Sequence, residues 1–424
     1  MKKDRSKNLL IALAVTCLGC FVATGNAANN LNKPRSDKEI HADAHQIMSG
    51  LNILMPGDIA ERDKKPHGFY PGVEINFDQA WQERNNNYTG DGYNRMVLSN
   101  AIVDLQFRMF DWVNMDVSAA HAETPNGGDG GGNTYNDSLE TAYFSVGNFY
   151  KMPVTFTYGY NYLPFGVYHP YALSSTVTQN MNQAQATMFQ VNYETKNLYT
   201  SVYAFGRSGK VNGTSRRVAA PVNNYGADFG YTWHAFHQGA HMNVSYISNY
   251  REVNLIKNLN PTSLKRVSAM ALHASYYYGY YGGMIDYTTT LSRFNSDALS
   301  FNGKGAKPHA IFGEVYRHFR TFGKESVAGL GYGTSWQGIG VSLPKHRWLL
   351  NYQVELNRLI SLQAQYTLAK DYGTGDSGIM ERDNANTTTT GTGKDNNTFE
   401  VRLSFALGDQ VDSLDGVYIA DQAM

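Results

Sequence analysis

The stretch "AMALHASYYYGYYGGMIDYTTT", residues 269–290, decides the fold. Met270, Leu272, Ala274, Tyr276 and Tyr278 fall on one parity, and His273, Ser275 and Tyr277 on the other. A period of two with one apolar face is the pattern of a β-strand. Gly279 and Tyr280 interrupt it, and the alternation then resumes with Tyr281, Ile285 and Tyr287 on the apolar face and Met284 and Asp286 opposite. Two such runs joined by two residues read as a hairpin. Five tyrosines crowd the turn, and 275–283 carries no charge. A ring that tolerates hydrocarbon and a hydroxyl that reaches water suit the boundary between lipid tails and headgroups. Tyr276, Tyr278, Tyr281 and Tyr287 are therefore expected in the aromatic girdle of a membrane barrel. A tyrosine-rich soluble recognition surface is the competing reading, and it has no need of a two-residue turn.

The same period runs along the chain from about Gly68. Phe399, Val401, Leu403, Phe405 and Leu407 alternate with Glu400, Arg402, Ser404 and Ala406, and Tyr225 to Trp233 and Trp348 to Leu356 behave alike. The alternation predicts strands near 70–80, 97–109, 112–122, 139–148, 153–161, 186–194, 198–206, 223–233, 239–248, 267–278, 281–290, 309–319, 325–336, 346–356, 359–369 and 398–407. Each has about the ten residues that a tilted strand needs to cross a bilayer. Junctions after even strands are short, such as 111–112, 194–197, 279–280 and 357–358. Most junctions after odd strands are long and polar: 82–96, 122–137, 249–266, 291–308 and 370–397. Short turns on one side and long loops on the other are how an outer-membrane barrel is threaded. The expected fold is thus all-β, a transmembrane antiparallel up-and-down barrel of about sixteen strands over 68–407.

The ends and the composition agree with this. Lys2, Lys3, Arg5 and Lys7 precede an apolar run, Leu9–Gly25, and small residues at Gly25 and Ala27 mark an expected signal-peptide cleavage after residue 27. The alternative is a lipobox at "CLGC" with Cys20 lipidated, although Cys17 stands where an aliphatic residue is usual. Both cysteines of the chain, Cys17 and Cys20, lie in this leader, so the mature chain has no disulfide, thiolate metal site or cysteine nucleophile. Residues 28–67 read as a short periplasmic segment and 408–424 as a tail. Charged residues are 17% of the chain, below the usual quarter or so, and the formal net charge is zero. Nothing in that balance points to nucleic acid.

With the apolar face outward, the inward positions carry Glu74, Asp104, Arg108, Asp116, Asp228, Asp286, Glu314, Glu355, Glu400 and Arg402, with His241, His273 and His318. A water-filled lumen tolerates such groups, and the acidic excess predicts a mild cation preference if the pore conducts. Pairing across the wall, with a purely stabilising role, is the alternative for each residue. After the fifth strand comes "NYLPFGVYHPYALSSTVTQNMNQ", 161–183, poor in charge and rich in rings. Such a loop either folds into the lumen or packs on the rim. Tyr162, Phe165, Tyr168, His169 and Tyr171 are its candidate ligand-binding residues.

"GNFYKMPVTFTYGYNYLPFGVYHPYA" (147–172) with "TQNMNQAQATMFQVNYE" (178–194) resembles the matching stretch of the LbtU family of siderophore porins. "GVSLPKHRWLLNYQVELNR" (340–358) is similar to that family's late-barrel segment. The resemblance covers about Gly68 to Leu407. It implies a sixteen-strand outer-membrane barrel that imports a ferric siderophore without a TonB-coupled plug. Residues 28–67 do not share the likeness, and the tail departs from barrels that end on an aromatic residue, leaving Phe405 as the internal counterpart.

Other chemistry is not expected. His234, His237 and His241 straddle a turn and a strand, His41 and His45 lack a third ligand, and no cofactor motif is present, so neither a metal nor a cofactor is predicted. A general diffusion pore for small polar solutes, a phospholipase-like barrel enzyme and an adhesive or structural barrel remain as alternatives. His273 and Ser275 share a face but have no legible oxyanion partner. The expected partners are a small solute and outer-membrane lipid, with a homotrimer open as the oligomeric state.

Overall fold

The computed structural model describes residues 68–408 apart from 85–87, 89, 111, 125–133, 148–151, 167–170, 196, 211–216, 236–237, 258, 260, 262, 358 and 383–384. The leader, the 28–67 segment and the tail beyond Gly408 lie outside the described residues, as do His41, His45 and His237.

Among the described residues twenty strands follow one another along the chain. They are β1 (Gly68–Arg84), β2 (Asp91–Phe110), β3 (Val113–Thr124), β4 (Thr134–Val146), β5 (Val154–Tyr162), β6 (Gln185–Glu194) and β7 (Leu198–Lys210). Next come β8 (Arg217–Ala235), β9 (Gln238–Ile247), β10 (Ala269–Tyr278), β11 (Tyr281–Thr290), β12 (Ser300–Phe301), β13 (Lys304–Gly305) and β14 (His309–Thr321). The last are β15 (Lys324–Trp336), β16 (His346–Asn357), β17 (Ile360–Lys370), β18 (Ser377–Arg382), β19 (Ala385–Thr390) and β20 (Asp395–Gly408). Sixteen of them close into one antiparallel barrel in chain order, with β20 pairing back onto β1. β12–β13 and β18–β19 are separate two-stranded hairpins inside the outer loops. The period-two reading misses both: the first is two residues a side, and the threonine run of β19 has no apolar face. Among the described residues no helix is long and apolar enough to cross a membrane; the strands cross instead.

The hairpin at 279–280 forms as its sequence dictates, with Tyr278 opposite Tyr281 and His273 opposite Asp286. Leu272, Tyr276, Tyr278, Tyr281 and Ile285 are exposed on the outer wall, whereas His273, Met284 and Asp286 are buried on the inner one. The expected loop 82–96 shrinks to 85–90, because β1 and β2 keep pairing out to Arg84 opposite Asp91. Strands here outrun the apolar band, so hydropathy alone underestimates their length.

The inward tyrosines have a specific partner. Tyr199 lies opposite Gly230, Tyr203 opposite Gly226, Tyr277 opposite Gly239, and Tyr316 opposite Gly282 on neighbouring strands. A Cβ added at Gly230 would sit 2.0 Å from the Tyr199 ring, and at Gly226 2.1 Å from that of Tyr203. Each ring therefore lies flat across a strand that has no side chain there, covering backbone that glycine leaves bare. Gly230→Val is expected to cost about 1–3 kcal/mol by overpacking, read as a lower urea midpoint for unfolding from micelles. An unchanged midpoint would mean that Tyr199 swings away freely.

Candidate functional site

The loop between β5 and β6 leaves the wall and crosses the lumen. Its descent is fixed at Gly166, whose amide donates to Ser245 Oγ on β9 at 2.7 Å. Further on, Tyr171 Oη is 3.1 Å from His318 Nε2 on β14, and the Leu173 amide donates to Gln365 Oε1 on β17 at 2.7 Å. Arg347 on β16 grips the next two residues, donating to the Ser175 carbonyl at 2.5 Å and to Ser174 Oγ at 2.7 Å. The chain returns through the short helix α1 (Val177–Asn182), capped by Thr176 Oγ1, which accepts from the Gln179 amide at 3.1 Å. Asn182 Oδ1 then accepts from Thr288 Oγ1 on β11 at 2.6 Å. These anchors lie on β9, β11, β14, β16 and β17, away from the loop's own strands, so of the two placements open to this loop the structure has the inward one. Its apolar residues explain why. Leu163, Phe165, Val177 and Met181 join a buried cluster with Met188, Phe205, Ile247, Tyr250, Ile256, Phe294, Leu299, Phe312, Val341 and Met380. That core includes residues from four other outer loops and none from β1–β4. Beside it, Tyr372 Oη lies 2.8 Å from Ser335 Oγ and accepts from the Gly338 amide at 2.9 Å, and burial pushes the phenol up to about 12.

The five candidate ligand residues separate on this scaffold. Phe165 is 0% exposed and meets Tyr250 edge-on, 6.3 Å between centroids. It lies in the core, where it anchors the apolar loop. Tyr162 donates to Glu140 Oε2 at 2.7 Å. Tyr171 is half-buried against the rings of Tyr316 (4.9 Å) and His318 (5.7 Å). Tyr168 and His169 lie outside the described residues.

The ten inward charges stand on the buried parity of their strands. Asn76 donates to Glu74 at 2.6 Å, Thr141 to Asp116 at 2.6 Å, Asn243 to Asp228 at 2.8 Å and Asn351 to Glu314 at 2.8 Å. His273 Nδ1 lies 2.5 Å from Asp286 Oδ1. Arg402 donates through Nε and Nη2 to both oxygens of Asp78, at 2.7 and 2.6 Å. Asp104 and Arg108 are each 5% exposed, while Glu355 and Glu400 are half-buried. Two members escape the sequence reading. Asp78 shares the parity of Glu74 and was legible. Glu140 is the extra residue of a bulge where Ser118 faces Thr141 and Ala119 faces Leu139, so strict alternation misplaces it. Of the tyrosines expected in the girdle, Tyr276, Tyr278 and Tyr281 flank the 279–280 turn, and Tyr276 donates to Gln238 at 2.7 Å. Tyr287 stands six residues up the wall, opposite Leu272 and Ile311.

A closed antiparallel sixteen-strand barrel with an apolar outer wall, a polar inner wall and a loop across its lumen is a porin-type barrel of the bacterial outer membrane. The comparisons with known proteins agree. The chain is 27% identical over 234 residues to a UPF0422 protein of Coxiella burnetii, covering 54% of this chain and 50% of that one. It is 24% identical over 352 residues to a UPF0422 protein of Legionella pneumophila, covering 76% and 62%. The chain thus spans between half and two thirds of the length of these relatives. No protein-family profile matches. Among solved structures, OprB of Pseudomonas putida superposes with a TM-score of 0.52 at 8% identity, over 80% of this chain and 94% of its own. The outer membrane channel DcaP of Acinetobacter baumannii gives 0.50 at 11%, over 80% and 96%. At such identities the likeness concerns the fold.

Proposed function

We propose that this protein is an outer-membrane channel passing a small solute, a ferric siderophore first among candidates, without a TonB-type plug. The observation that carries the reading is the loop across the lumen. It narrows the passage and sets Tyr171 with His318 beside the path of anything that enters. A large, flat, partly aromatic chelate gains from ring contacts of this kind, each worth about 0.5–1.5 kcal/mol. The resemblance of 147–194 to siderophore porins falls on this same loop. General diffusion of small polar solutes is the second reading, favoured by the excess of carboxylates among the inward positions.

The two separate in planar bilayers with ferric siderophores added to a conducting channel. One siderophore is expected to block the current at micromolar concentration, and Tyr171→Ala to weaken that block about tenfold, equivalent to 1.4 kcal/mol. Current indifferent to every siderophore tried would sink the specific reading and leave general diffusion.

A further inference from the structure

We propose that His273 and His241, neighbours on the inner wall of β10 and β9, bind a divalent transition-metal ion. Asp286 orients one of the two imidazoles. Its Oδ1 lies 2.5 Å from His273 Nδ1, and both side chains are 2% exposed. A carboxylate accepts a proton in such a bond, so Nδ1 carries the hydrogen and Nε2 keeps its lone pair. Metal-ligating histidines are oriented in this way, with the carboxylate fixing the tautomer and raising the basicity of the far nitrogen. His273 Nε2 is buried and has no hydrogen-bond partner. A buried acceptor left bare costs free energy, and an electrophile placed there removes that cost.

His241 supplies the second imidazole. Its ring centre is 5.3 Å from that of His273. An imidazole nitrogen binds a first-row divalent ion at about 2.0–2.1 Å, which puts each ring centre roughly 3.2 Å from the metal; a tetrahedral angle then parts the two centres by roughly 5.2 Å. His241 Nε2 faces Tyr199 Oη at 3.4 Å, so Nδ1 is the atom that would ligate. Asp286 adds negative charge beside His273. Among the described residues no three His, Cys, Asp or Glu side chains converge on one point, so the proposed site has these two imidazoles as its protein ligands. None of this depends on which solute the channel passes.

The test is a titration of untagged, refolded full-length protein with Cu²⁺, followed by electron paramagnetic resonance. One saturable site with couplings from two imidazole nitrogens is expected. His273→Ala should weaken binding at least tenfold and Asp286→Asn about tenfold, within the range for losing an outer-shell partner. His346→Ala, on β16 and outside the pair, should change nothing. Wild-type protein that binds no Cu²⁺ saturably, or whose spectrum shows a single nitrogen, overturns the proposal without any variant having to fold. Binding that survives His273→Ala in a protein with native gel mobility overturns it equally.

Discussion

Replacing residues 164–182 with a short Gly/Ser linker is expected to raise single-channel conductance severalfold. Sixteen strands enclose a lumen wide enough for an aqueous channel when nothing crosses it. Here the loop does cross it, held by Ser245, Thr288, His318, Arg347 and Gln365 on strands other than its own. The barrel's sheet closes through main-chain pairing to which this loop contributes nothing, so the shortened protein is expected to keep its heat-modifiable gel mobility. It also loses the apolar partners of Ile247, Tyr250 and Phe312, so a lower unfolding temperature accompanies the wider pore. Conductance unchanged in a folded variant would mean that the narrowing lies elsewhere.

The second large effect concerns the seam. Asp78 on β1 and Arg402 on β20 are direct register partners where the barrel closes, joined by two hydrogen bonds. Their side chains are 7% and 11% exposed. Arg402→Met leaves the Asp78 carboxylate buried without its counter-charge, which costs about 3–5 kcal/mol, whereas removing both charges together is far milder. Arg402→Met should therefore unfold at much lower urea than wild type, and Asp78→Leu/Arg402→Met should recover most of the loss. A double variant as unstable as the single one would show that packing, and not charge pairing, holds the seam.

Much of this architecture is written locally. The Gly279–Tyr280 turn, the ends of β11 and the inward parity of His273 and Asp286 all follow from a period of two, because each strand meets lipid on one side and the lumen on the other. What a strand period cannot express stayed hidden. The direction taken by the loop after β5 depends on Arg347 and Gln365, nearly two hundred residues away. Phe165 reads as an exposed ring until Tyr250 arrives to cover it. Glu140 is lost to a bulge that resets the parity. The pairing of tyrosine with glycine across strands is visible in composition, since both residues are abundant, but only the register says which ring covers which glycine. The candidate site was thus half legible: its charged wall from parity, its crossing loop only as one of two open choices.

A conducting passage is expected to persist beside the crossing loop. Single-channel recording of the refolded wild-type chain in planar bilayers tests it most directly, with a salt gradient to read ion preference. Discrete steps with a reversal potential on the cation side are predicted, because carboxylates outnumber guanidinium groups on the inner wall. A silent bilayer from correctly folded protein would contradict the account.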